Sequence, residues 1–104
     1  MIITLCGSTK FKDEFLRAQK ELTLEGHIVI SVGCFGHSDD DPRIEACKEM
    51  LDAMHLKKID MADAIYVVNV GGYIGESSRR EIEYADSRGK TIIFHEDPGI
   101  SAEP

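Results

Sequence analysis

The chain reads as an α/β protein: a three-layer sandwich on a small parallel sheet of about four strands, flavodoxin-like or Rossmann-like. Three observations predict this. Short β-branched runs alternate with amphipathic stretches in the order β-α-β-α-β-α-β. The run Ala64–Val70 is nearly continuously apolar, as a strand covered on both faces must be. Turns rich in Gly and Ser follow the first and third runs, where such sheets hold ligands beyond the strand C-termini. The expected strand order is 2-1-3-4, with right-handed crossovers and a crevice between the first and third strands.

Each element has a local reason. Ile2–Cys6 is the first strand, ended by Gly7-Ser8-Thr9. Phe11, Phe15, Ala18 and Leu22 recur at helical spacing, and Gly26 stops that helix. His27–Val32 is the second strand. Gly33–Pro42 is an exposed acidic loop, and Asp41-Pro42 is a cap followed by a first-turn proline. Ile44, Cys47, Leu51 and Met54 mark one long helix running to about Met61. The strand Ala64–Val70 precedes a helix from about Ser77 to Arg88, stopped by Gly89. Thr91–Phe94 is the last strand, and residues 95–104 form a polar, loosely ordered tail.

The chain of 104 residues accommodates one domain, 1–104, with no internal repeat or linker. A net charge of −7 argues against a broad phosphate-tracking surface, so no nucleic-acid polymer is expected as a partner. Cys6, Cys34 and Cys47 are an odd set without a Cys-x-x-Cys pair, and read as reduced, packed thiols. No basic leader precedes an apolar stretch and no segment is long enough to span a bilayer, so the expectation is a soluble, cytoplasmic protein without a membrane partner.

Two turns carry the candidate chemistry. Gly7-Ser8-Thr9 fits a phosphate or sugar cradle of amides and a hydroxyl, and equally an ordinary turn in which Ser8 or Thr9 caps the helix. No Walker pattern and no full G-x-G-x-x-G is present. In Gly71-Gly72-Tyr73-Ile74-Gly75-Glu76-Ser77-Ser78, three glycines lower the cost of close backbone approach to a ligand. Glu81 follows. Ser78-Arg79-Arg80-Glu81 also fits the S-x-x-E capping box, in which Glu81 returns to the cap amide and needs no catalytic role. Glu76 with Arg80 and Arg79 with Glu83 fit i,i+4 charge pairs. Cys34, His37 and Asp39–Asp41 match no structural zinc spacing, so no metal is assigned to them.

Several segments together carry a resemblance. They are Leu5-Cys6-Gly7-Ser8 with Phe11, Gly26-His27-Ile28-Val29, Met61–Asn69, and Gly72 through Glu81-Ile82-Glu83-Tyr84-Ala85. Across nearly the whole chain the sequence resembles the nucleoside 2-deoxyribosyltransferase-like superfamily, which includes the 2′-deoxynucleoside 5′-monophosphate N-glycosidases. The resemblance implies that Glu81, opening the last helix, attacks the anomeric carbon of a deoxyribose. It implies a small-molecule nucleoside or nucleotide as partner, no cofactor, and a homodimer or larger assembly.

Further site residues follow from the resemblance. Asn69 stands where relatives carry an acidic residue facing base or sugar, and an amide there orients but does not protonate. His55 stands at about the position of a relative's aspartate and either donates the proton or is an ordinary helix residue. Gly7, Ser8, Gly72, Gly75, Ser77 and Ser78 would hold the sugar or 5′-phosphate. Two other classes compete: a non-catalytic nucleotide-binding module, and a TIR-like NAD glycohydrolase, which shares the sheet type and a helix glutamate. On the chain itself, Met50, Met54 and Leu56 exceed the core stripe of their helix and suit a subunit interface or a wider core face.

Overall fold

A computed structural model describes residues 1–36 and 38–96. Four strands form one parallel sheet: β1 (Ile2–Gly7), β2 (Ile28–Ile30), β3 (Ala64–Val68) and β4 (Thr91–Phe94), in the spatial order β2-β1-β3-β4. Helix α1 (Lys12–Leu24) connects β1 to β2. Two helices, α2 (Pro42–Ala46) and α3 (Lys48–Asp60), lead into β3, and α4 (Glu76–Ser87) leads into β4.

The alternation of side chains along a strand decides which residues meet which layer. One face carries Cys6, Ile65 and Val67, which pack with Ile59, Leu56, Ala85 and Ile82 under α3 and α4. The opposite face carries Leu5, Val68 and Tyr66, which pack with Phe11, Phe15 and Leu22 of the α1 region and with Phe35. Helices therefore lie on both faces, and the central strands β1 and β3 are buried on both, as their apolar sequences require.

Three boundaries differ from the sequence expectation, each for a local reason. The second strand shrinks to three residues because β2 pairs only with the start of β1, Ile2–Thr4. The third strand stops at Val68, and Val70–Gly72 turn tightly, with Gly71 at φ 65°. The expected long helix is broken at Cys47 (φ −103°, ψ 14°). Its first piece, α2, is capped by Asp41 and carries Pro42 in its first turn, but buries no side chain that would hold it in line with α3. Of the expected tail, His95 and Glu96 continue the sheet edge through the His95 amide bonded to Val67; residues 97–104 lie outside the described residues. Among the described residues, no helix is long and apolar enough to cross a membrane.

Candidate functional site

The C-terminal ends of β1 and β3 open into a cleft of about 590 Å³, within the range of small-molecule pockets. Its floor is Gly7, the last residue of β1, and Ser8; one wall is Gly75 with Ser77, Ser78 and Glu81 of α4, and another is Lys48, Asp52 and His55 from α3. Val32, Cys34, Asp41, Ile44 and Tyr73 close the rim. Gly7 explains how the floor is reached. Its φ is 136°, and a Cβ there would sit 2.7 Å from the Val68 carbonyl oxygen, so only glycine lets β1 and β3 approach this closely at their ends.

The Asp41 cap of α2 forms, but the alternative caps that the sequence offered at Ser78 and at Ser8 or Thr9 do not. α4 begins at Glu76 with Gly75 as its cap residue and no side-chain cap bond, so Ser78 lies inside the first turn, buried. The Ser78–Glu81 capping box is thus absent, because a helix starting three residues earlier leaves no cap position at Ser78. Ser8 and Thr9 do not cap α1 either: its cap residue is Phe11, without a side-chain bond. Glu76 and Arg80 pair at 3.7 Å as expected. No Arg79–Glu83 pair forms among the described residues.

With the capping role gone, Glu81 turns toward the sheet. Its Oε1 lies 3.7 Å from Nε2 of His55, and that nitrogen lies 3.4 Å from Sγ of Cys6. Cys6 is fully buried, the His55 side chain is 9% exposed and that of Glu81 is 21% exposed. Burial governs all three protonation equilibria. It pushes the Glu81 carboxyl up to about 7, against the opposing hydrogen bond from the Cys6 thiol. Burial also draws the His55 imidazole down to about 4, assisted by the Lys58 charge. The Cys6 thiol is raised well above its ordinary value, first by burial and then by Glu81. A thiol held protonated is a poor nucleophile, so this trio is not an activated Cys–His pair. A carboxyl poised near neutrality can serve as nucleophile, acid or base.

Of the residues expected in the site, Glu81, His55, Gly7, Ser8, Gly75, Ser77 and Ser78 come together around the cleft. Two do not. Asn69 is fully buried and spends its side-chain amide on Glu96, donating from Nδ2 to the carbonyl and accepting from the Glu96 amide, both at 2.8 Å. Asn69 is therefore a clamp between the ends of β3 and β4, and it does not line the cleft. Gly72 is exposed in the turn after β3 and does not line the cleft.

Cys6, Lys48, Asp52 and Tyr73 were not singled out as site residues in the sequence. Cys6 could have been found from strand period, which puts it beside Thr4 on the α3–α4 face one residue before Gly7; Asp52 lies one helical turn before His55. Tyr73 receives the Lys10 ammonium over its ring at 4.0 Å and meets Phe11 edge-on at 6.1 Å. In the acidic loop, Asp39 accepts from the Phe35 amide and from Lys12, while Asp41 accepts from Arg43. His37 lies outside the described residues. Comparison with protein-family models, with curated proteins and with solved structures finds no match to this chain.

Proposed function

We propose that this protein cleaves the N-glycosidic bond of a deoxynucleoside or deoxynucleoside 5′-monophosphate, with Glu81 as the attacking carboxylate. The observation that carries the reading is the placement of Glu81: freed from helix capping, it faces a cleft at the C-terminal ends of β1 and β3. The sequence resemblance to nucleoside 2-deoxyribosyltransferase-like proteins assigns the same residue the same task.

The chemistry is conservative in its demands. Departure of the base leaves positive charge on the anomeric carbon, and a carboxylate there either bonds to that carbon or balances the charge. The ionised Glu81 attacks, the C–N bond breaks, and the departing base takes up a proton from solvent or an acidic group. Water then attacks the glycosyl ester, the ester bond breaks to return the Glu81 carboxylate, and the water's proton passes to solvent; a second base in place of water gives transfer. Ser8, Ser77 and Ser78, with the uncapped amides at the start of α4, provide donors for a sugar hydroxyl or phosphate.

The test is a chromatographic screen for free base released from deoxynucleosides, their 5′-monophosphates and NAD. A deoxynucleoside or deoxynucleotide should be cleaved, and Glu81→Gln should lower turnover by a factor on the order of 100 or more, since a neutral amide neither attacks nor balances charge. Cleavage of NAD alone favours the TIR-like reading. Ligand binding without any cleavage, unchanged by Glu81→Gln, favours a binding module.

A further inference from the structure

Cys6, His55 and Glu81 come from β1, α3 and α4, yet one donor atom from each lies within 4.8 Å of the others. The edges of that triangle are informative. Sγ to Nε2 is 3.4 Å and Nε2 to Oε1 is 3.7 Å. Around a tetrahedral zinc ion, with bonds of about 2.3 Å to sulfur and about 2.0–2.2 Å to nitrogen and oxygen, neighbouring donors stand roughly 3.3–3.7 Å apart. The His55–Glu81 edge is too long for a hydrogen bond. In the metal-free protein the Cys6 thiol joins the three, contacting Nε2 of His55 and hydrogen-bonding to the Glu81 carboxylate, and metal binding replaces both contacts once that proton leaves. Sulfur and carboxylate also converge on the same imidazole nitrogen. A proton relay would instead use the two nitrogens in turn, with the acid on the far one.

We propose that Cys6, His55 and Glu81 form a three-ligand site for zinc or a similar borderline divalent cation, its fourth position open to the cleft. One thiolate, one imidazole and one carboxylate are a donor set that suits zinc, whereas magnesium and calcium take oxygen ligands. Thiolate and carboxylate together cancel the charge of a divalent ion, and the Asp52 carboxylate on the adjoining wall adds to the attraction. His55 and Glu81 both line the cleft, which gives the ion a path in and leaves room for a water or ligand atom. Binding forms the sulfur–metal bond and releases the thiol proton to solvent. The site itself stands apart from the deoxyribosyl reading. Its corollary, that a bound ion occupies the carboxylate needed for attack and suppresses base release, rests on that reading.

The experiment uses the full chain with Cys34→Ser and Cys47→Ser, so that Cys6 is the sole thiol, stripped with chelator and titrated with cobalt(II). One equivalent should produce a thiolate-to-cobalt charge-transfer band with the intense visible absorption of a four-coordinate ion, and zinc should remove both. His55→Asn and Glu81→Gln, each verified as folded by circular dichroism, should weaken cobalt binding at least tenfold. No charge-transfer band in the folded protein overturns the site, as does unchanged cobalt affinity in both variants. Base release measured on the same samples is a separate readout: metal binding without base release upholds the site and removes only the corollary.

Discussion

Glu81 and His55 share one largely buried corner and respond to burial in opposite senses, and this makes their presence measurable even without a substrate. Burial raises the Glu81 carboxyl from 4.5 to about 7, so its contribution to stability is full below pH 4.5 and is lost as pH climbs to about 7. Burial lowers His55 from 6.5 to about 4, so its contribution is present above pH 6.5 and is lost as pH falls toward 4. In metal-free wild type the two slopes oppose each other between those limits. Glu81→Gln should unmask His55, giving a stability that rises with pH from about 4 to 6.5; His55→Asn should unmask Glu81, giving one that falls from about 4.5 to 7. At pH 8, Glu81→Gln should also raise the melting temperature, with a ceiling of roughly 3 kcal/mol from relief of the buried charge. Denaturant titrations of chelator-treated wild type and both variants across this pH range check all three expectations. A Glu81→Gln variant with no gain at pH 8 would argue that water reaches the carboxylate freely.

At the scale of elements, the candidate cleft depends on how tightly β1 and β3 close at their ends. Gly7→Ala would put a methyl against the Val68 carbonyl and force a residue with φ 136° into strain. The expected loss is about 1–3 kcal/mol, read as a lower denaturant midpoint with an unchanged slope. Asn69→Ala removes both bonds to the Glu96 backbone and should cost a similar amount, about 1–3 kcal/mol, by stranding buried polar groups. These elements also mark where sequence reasoning succeeded and failed. Ala64–Val68 was legible because burial on both faces leaves an unbroken apolar run. The S-x-x-E pattern at Ser78 left the role of Glu81 open because pattern alone does not fix a helix start, and Gly75 with ψ 177° begins α4 too early for Ser78 to cap it. The Asn69 clamp was hidden because its partner is backbone at Glu96, which leaves no mark in side-chain identity. The break at Cys47 was hidden for a different reason. Helical periodicity passes through it unchanged, and the decisive fact is that α2 buries nothing.

Across the whole molecule, the strand order β2-β1-β3-β4 was legible from alternation and the switch-point rule, and it brings the Gly7 and Gly75–Glu81 turns into one cleft. The composition of the surface was less legible. Met50 is 51% exposed, Met54 41% and Met61 67%, whereas Leu56 packs against the core and is not surplus. The exposed methionines of α3 predict self-association through that helix. Sedimentation at micromolar concentration should give a dimer or larger species, and Met50→Glu with Met54→Glu should return it to a monomer. A wild-type monomer would contradict this. The most direct test of Glu81 as nucleophile is peptide mapping by mass spectrometry after incubation with a 2′-fluoro analogue of the cleaved substrate. Fluorine destabilises the cationic transition state and slows loss of the glycosyl group from the enzyme. A glycosyl adduct on the peptide holding Glu81, absent in Glu81→Gln, is the predicted result. An adduct on another residue, or free base released by Glu81→Gln as fast as by wild type, would contradict it.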